Sequence, residues 1–307
     1  MPLLSIVIPT HNRARYAVHA IRSLLAISDP RLEVVVSDTS TDGELAAALN
    51  GSHSSLRADL RLKYLRPTER LDMTGNHNFA LAAATGEYIC LIGDDDSIAP
   101  EAIIAAEWAA AHDVDAIAPE VVANYAWPDF RSRVFGTGHA ARLYLAQSFE
   151  GWRWVDCNTA LDGALKNAGQ GTEGLPKIYH GLVRRSVLER MRAESGLFFH
   201  GSSPDVSGAI GLAAVCKRFL VLRYPLTIPG ASGGSNTGRS ALNQHKGRLS
   251  SEEQTRAFVD RGWSKGVPKF FSVETVWAHA ALETLSQLAP QRAPEFNFAR
   301  LIGVCIE

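Results

Sequence analysis

Four strand-then-helix steps follow one another in the first 118 residues, and this alternation restricts the fold more than any other feature of the chain. Residues 4–8 are a compact apolar strand closed by Pro9; the helix after it carries Ala17, Ala20, Ile21, Leu24 and Leu25 at helical spacing. Residues 32–36 read as a second strand, 42–49 as a short helix and 61–65 as a third strand. Thr74 is placed to cap a helix running to Ala84, Gly86 breaks it, and residues 88–92 form another apolar strand. A helix over 100–111 and a short strand over 115–118 complete the series. Such a succession predicts an α/β fold, a mostly parallel sheet with helices on both faces.

After residue 118 the pattern changes. Residues 119 to about 175 are irregular and rich in aromatics, among them Tyr125, Trp127, Phe135, Tyr144, Trp152 and Trp154. A carbohydrate-binding surface is one reading of them and core packing the other. Residues 181–192 and 206–217 read as helices, 219–222 as a strand, and 229–238 as a flexible glycine-rich loop. Ser251 and Gln254 have the spacing of a capping box that opens a helical tail. Val273, Val276, Trp277, Ala280, Ala281, Leu285 and Leu288 then form an apolar stripe for core packing or a homo-oligomer contact, interrupted by Thr284 alone. The chain thus divides into 1–118, 119–240 and a C-terminal helical extension, 241–307.

Composition narrows the function classes. With 46% hydrophobic and 21% charged residues and a formal net charge of −1, the chain lacks the basic excess that nucleic-acid binding requires. Its four cysteines, Cys90, Cys157, Cys216 and Cys305, are scattered, as expected in a reducing compartment. Met1-Pro2-Leu3-Leu4 enters the first strand without a charged region or cleavage site, and no run reaches the roughly 18 apolar residues of a membrane span. A cytoplasmic protein is expected, compatible with peripheral contact at the inner face of a membrane.

The chemistry is concentrated at strand ends. Asp38 and Asp42 follow the second strand, and Asp94, Asp95 and Asp96 follow the apolar strand at 88–92. Right-handed crossovers bring these ends to one sheet edge, where open α/β sheets bind ligands. Three adjacent carboxylates repel one another and resist burial. A cation relieves that repulsion, and hard oxygen ligands favour Mg²⁺ or Mn²⁺. The bland alternative is a solvated loop or a helix N-cap.

Four blocks in order carry a family resemblance: Ser5-Ile-Val-Ile-Pro-Thr-His-Asn-Arg13, Val35-Val-Ser-Asp-Thr-Ser-Thr-Asp-Gly43, Asn78 through Gly86-Glu-Tyr88, and Leu91-Ile-Gly-Asp-Asp-Asp96. Together they resemble family 2 glycosyltransferases, inverting sugar-nucleotide enzymes with the GT-A (Rossmann-like) fold. The resemblance implies that Pro9, Thr10, His11, Asn12 and Arg13 meet the nucleotide and its phosphates. It implies that Asp38 accepts from the base, a carboxylate suiting the imide N–H of uracil or thymine and hence a UDP- or dTDP-linked donor. Asn78 is implied as a nucleotide-side residue, Asp95 as the direct metal ligand, and Asp94 and Asp96 as the rest of the metal and ribose cluster. Gly93 and Ser37 stand where many relatives have acids, and Ala80 replaces a common glycine.

An inverting transferase also needs a base for the acceptor hydroxyl. Asp205, in Ser203-Pro-Asp-Val-Ser-Gly208, has the matching place before a small-residue helix; an N-cap is its alternative role, and Asp156 and Asp162 are rival bases. His180, His200 and His245 are further candidates for phosphate, acceptor or metal contacts, and the loop over 232–239 for closure over a diphosphate. The expected activity is metal-dependent transfer from a nucleotide sugar to a glycan or lipid-linked acceptor in bacterial polysaccharide or glycoconjugate synthesis. Two other classes remain to be separated from it: a haloacid-dehalogenase-type phosphohydrolase, for which the acidic strand end also suits, and a non-catalytic nucleotide-sugar-binding protein.

Overall fold

The first strand shows how this sequence builds two cores from one sheet. In β1 (Leu4–Thr10) successive side chains alternate between faces, and all seven residues are buried. Ile6 and Ile8 pack on one face with Ala17, Ile21 and Leu24 of α1 (Ala14–Leu25), while Val7 joins a separate cluster on the other. The computed structural model describes residues 1–242 and 244–306. Continuing along the chain are β2 (Leu32–Asp38), α2 (Glu44–Asn50), α3 (Ser54–Arg57), β3 (Leu62–Leu65), α4 (Met73–Ala82), β4 (Tyr88–Leu91), β5 (Ser97–Ile98), α5 (Glu101–Ala111) and β6 (Ala116–Pro119). Helices α1 and α5 cover one face and α4 the other, so the strands are largely apolar, and the buried Glu33 within β2 is satisfied by Ser5, Thr85 and Lys63.

The second half supplies β7 (Ala123–Ala126), β8 (Arg142–Leu145), β9 (Trp152–Val155), α6 (Cys157–Lys166), β10 (Leu182–Arg184), α7 (Arg185–Ser195), α8 (Pro204–Val215), β11 (Phe219–Leu222), β12 (Thr227–Ile228) and β13 (Gly230–Ala231). Among the described residues the α-helices α9 (Asn236–Ala241), α10 (Glu253–Arg261), α11 (Val273–Leu288) and α12 (Phe298–Ile306) follow. The main sheet has the order β3-β2-β1-β4-β10-β6-β11-β9. Its pairings are parallel from β3 to β4 and between β6 and β11; β10 and β9 run antiparallel to their neighbours. The fold is thus the expected helix-flanked α/β sheet with a C-terminal helical extension, mixed rather than uniformly parallel.

Three local expectations are corrected. Residues 182–184 are the central strand β10, and the helix expected over 181–192 begins only at Arg185. Three residues are too few to show a period, and the turn before them depends on Gly181, where a Cβ would sit 1.8 Å from the Lys177 carbonyl oxygen. The cap of α4 is Asp72, which accepts from Gly75 N at 2.7 Å; Thr74 instead donates to Gly201 O. Ser251 and Gln254 form no capping box, because Gln254 donates across the fold to Ser202 O at 2.8 Å. The capping box of this region is Ser272 with Thr275, at the start of α11.

The C-terminal extension closes a third core, in which Ala278, Ala281 and Leu285 of α11 pack with Val206, Ala209 and Ile210 of α8. Thr284 is tolerated there because its hydroxyl bonds to Ala280 O and Ser207 Oγ at 2.7 and 2.8 Å. No helix among the described residues is long and apolar enough to cross a membrane.

Candidate active site

Strand register brings the acids together. Thr10 pairs with Asp38 at the carboxyl end of β1 and β2, and Val7 pairs with Leu91, which places residues 94–96 beyond the same edge. A cleft of about 440 Å³ opens there, lined by Pro9, Thr10, His11, Arg13, Asp94 and Asp95 among others. The opposite wall comes from the loop and helix after β13, including Ser235, Thr237 and Arg239. A neighbouring pocket of about 390 Å³ contains Asp38 and Arg66 and shares His11, Thr39, Leu71 and Glu253 with the cleft. Asn12, in left-handed backbone at φ 54°, lines a further adjoining recess and accepts from Thr41 N through Oδ1.

The three aspartates have three environments. Asp94 accepts from Thr10 Oγ1 and from Arg13 Nε, both at 2.6 Å. Asp95 Oδ2 accepts from Ser232 Oγ at 2.5 Å and Ser232 N at 3.1 Å, and Arg13 Nη2 lies 3.1 Å away. Asp96 accepts from Gly93 N and Gly230 N at 2.6 Å and lies 3.2 Å from His180 Nε2. Close approach is essential here, since a Cβ at Gly230 would lie 1.8 Å from the Asp95 carbonyl oxygen. Burial, reinforced by the charge of Asp96, pushes the Asp95 carboxyl up to about 6. Burial also raises Asp94, against the pull of Arg13. For Asp96 burial is outweighed by His180 and the backbone N–H groups, which hold it below the ordinary range.

This arrangement divides the predicted metal cluster. Asp96 is tied into the loop scaffold and does not line the cleft. Asp94 and Asp95 do line it, and among the described residues hydrogen bonding engages only Oδ2 of the Asp95 carboxylate. Among the described residues no group of three or more His, Cys, Asp or Glu side chains converges on one point. Two hard carboxylates with a raised pKa nonetheless suit Mg²⁺ or Mn²⁺, which commonly bind through one or two carboxylates and complete their shell with water and substrate phosphate.

The remaining predicted residues separate into two groups. Asp38 is buried, accepting from Tyr64 OH at 2.5 Å and Ser40 N at 2.8 Å. His11 Nδ1 contacts Thr39 O at 2.9 Å. Asp205 occupies the first turn of α8, where Ser203 Oγ donates to it; it does not itself line the cleft, but its charge acts on Tyr179 and His77 of the cleft wall. Outside the cleft lies Asn78: its Oδ1 accepts from Phe198 N and Phe199 N at 2.9 and 3.1 Å, tying α4 to the chain before α8. The rival bases are engaged elsewhere, Asp156 as the cap of α6 and Asp162 in an ion pair with Arg292. His200 contacts Ser195 Oγ at 3.0 Å, His245 contacts Ser240 Oγ at 3.0 Å, and neither lines the cleft.

Several cleft residues escape a sequence reading. Asn76, two residues before Asn78, is buried and bonds to Ser37 Oγ, Thr10 O and Thr39 Oγ1, pinning β1 to β2. Tyr179 and Glu253 reach the site from distant segments, and Ser232, in the loop expected to close over a diphosphate, bonds directly to Asp95. Only the Asn76-His77-Asn78 run, with two amides on one helix, offered a local signal for any of them.

The family model described as glycosyl transferase family 2 matches residues 5–158. A Campylobacter jejuni protein named GalNAc(5)-diNAcBac-PP-undecaprenol beta-1,3-glucosyltransferase is 31% identical over 99 residues, covering 32% of this chain and 31% of that protein. The chain therefore spans about a third of the length of this curated relative. Among solved structures, S. aureus TarS 1-349 in complex with UDP-GlcNAc aligns with a TM-score of 0.54 at 20% identity, over 76% of this chain and 60% of that one. A mannosyltransferase of Pyrobaculum calidifontis in complex with GDP-Man and Mn²⁺ aligns with a TM-score of 0.50 at 20% identity, over 99% of this chain and 75% of that one. These two likenesses are of fold. With half of its length matched by the family model, and with the GT-A architecture of its structural neighbours, the chain belongs to glycosyl transferase family 2.

Proposed function

We propose that this chain transfers a sugar, with inversion, from a nucleotide-sugar donor to a hydroxyl of a glycan or lipid-linked acceptor, using Mn²⁺ or Mg²⁺. The observation that carries this reading is the continuity of two pockets: the Asp38 pocket and the Asp94–Asp95 cleft share a wall at His11 and Thr39. A base at Asp38 and a diphosphate at Asp94–Asp95 would then belong to one ligand. Solved relatives hold such ligands, UDP-GlcNAc in TarS and GDP-Man with Mn²⁺ in the mannosyltransferase. The acceptor class draws support from the undecaprenol-linked substrate in the Campylobacter protein's name.

The chain's own groups divide the work. Asp38 accepts from the base, with UDP or dTDP favoured by the imide N–H. Asp95, with Asp94 beside it, would hold the ion, whose charge offsets that building on the departing diphosphate. Asp205 takes the acceptor's proton as the hydroxyl attacks the anomeric carbon. Ser232 to Arg239 bound the diphosphate side and exclude water. Family membership leaves the phosphohydrolase reading without support.

The test is a thermal-shift panel of UDP-, dTDP- and GDP-sugars with and without Mn²⁺, followed by transfer assays with Asp95→Ala. Stabilisation by one nucleotide class, enhanced by Mn²⁺, and loss of metal-dependent turnover in the variant are expected. No stabilisation by any nucleotide sugar would overturn the reading.

A further inference from the structure

The irregular segment after β6 carries an unusual surface. Val134, Phe135, Leu143, Leu145, Trp152 and Trp154 are 79%, 63%, 52%, 58%, 59% and 46% exposed, all within a short stretch of chain. In β8 every residue is exposed, so the strand buries neither of its faces. Strand β9 is the free edge of the main sheet, and its two indoles stand on the same side, 5.9 Å apart. A single soluble domain seldom leaves so many large apolar side chains in water without a partner.

The two strands meet at one corner. Trp152 pairs with Leu222 at the end of β11, and Pro119 pairs with Leu222 from the other side. Three residues beyond Pro119, the Val122 carbonyl accepts from Ala146 N, immediately after β8. The corner also adjoins the mouth of the cleft, since Arg133 N donates to Ala241 O at the end of α9.

Charge identifies the occupant. Arg131, Arg133, Arg142 and Arg153 are exposed and take part in no ion pair among the described residues. The same stretch holds one acid, Glu150, and Arg218 extends the basic character by stacking over Trp154 at 5.2 Å. Trp, Tyr and Phe interleaved with unpaired Arg are the composition of a water–bilayer interface, where indoles sit among headgroups and guanidiniums meet lipid phosphate. A sugar-binding face differs: it stacks rings in a recess with acceptors for hydroxyls, whereas Val134, Leu143 and Leu145 offer neither stacking nor hydrogen bonds.

We propose that the corner formed by residues 131–145 and β9 docks on the surface of an anionic lipid bilayer. Docking there turns the cleft mouth toward the membrane. That consequence rests on the glycosyltransferase reading, whereas the docking itself requires neither donor nor transfer.

The experiment is sedimentation of the full chain with vesicles of phosphatidylcholine alone or mixed with phosphatidylglycerol, with indole quenching by brominated lipid. Binding to the mixed vesicles, little binding to the neutral ones, and release by high salt are expected. Neutralising Arg133→Gln, Arg142→Gln and Arg153→Gln together should weaken partitioning roughly 100-fold, and Trp152→Ser with Trp154→Ser should remove most of the quenching. Unchanged thermal unfolding verifies that the variants fold. Absence of binding to the mixed vesicles overturns the proposal, as does undiminished binding by both variants. So does a dimer, or a soluble oligosaccharide complex, that these substitutions dissolve without any vesicle binding.

Discussion

Arg13 Nε lies 2.6 Å from Asp94 Oδ1, and the same guanidinium reaches Asp95 through Nη2 at 3.1 Å. One partly buried cation therefore compensates the two carboxylates proposed to meet a metal ion. Arg13→Gln should lower the stability of the metal-free protein by about 2–4 kcal/mol, because it leaves buried like charges uncompensated. The same change should increase the thermal shift produced by Mn²⁺, since the ion no longer competes with a guanidinium. Thermal unfolding with and without Mn²⁺ measures both effects; an equal shift in the two proteins contradicts the competition.

Asp205 should separate chemistry from binding. Asp205→Asn preserves the acceptor oxygen for Ser203 and removes the base, so kcat should fall at least ~100-fold while donor affinity stays within about threefold of the original. Single-turnover kinetics and calorimetric donor titration provide the two readouts. Full turnover in this variant would remove Asp205 from the base role.

Asn78 should behave as a structural residue. Its amide satisfies Phe198 N and Phe199 N and donates to Phe199 O at 3.1 Å. Asn78→Ala strands those buried groups at about 1–3 kcal/mol of stability, visible in chemical denaturation. Donor affinity should be nearly unchanged, whereas a large loss of affinity with normal stability would return Asn78 to the nucleotide.

His279 should set part of the acid sensitivity. It is fully buried, stacks on Trp263 with ring centroids 4.1 Å apart, and the Ser264 backbone N–H donates to its Nδ1. Burial holds its pKa down to about 4. Because the folded pKa lies below the unfolded value near 6.5, its contribution is fully present above about pH 6.5 and is lost as pH falls toward 4. The total loss is on the order of 2–3 kcal/mol. Denaturation midpoints between pH 7 and 4 should fall less steeply in His279→Gln; identical slopes would assign the acid sensitivity elsewhere.

The sequence by itself determined the sheet half of this protein. Strands buried on both faces read as largely apolar runs, and Asp38 and Asp94–Asp96 stand just beyond such runs, so their place at one sheet edge was legible from local pattern and crossover handedness. Tertiary structure alone decided the rest. It inserted β10, too short to show a period, and it gave Asp96 to two backbone N–H groups and His180. It also brought Ser232 to Asp95 across 137 residues and left Trp152 and Trp154 in water. The physical reason is common to all four. Periodicity reports which faces a segment buries, but the partner of a carboxylate, and whether an aromatic finds a core, depend on segments far away in the chain.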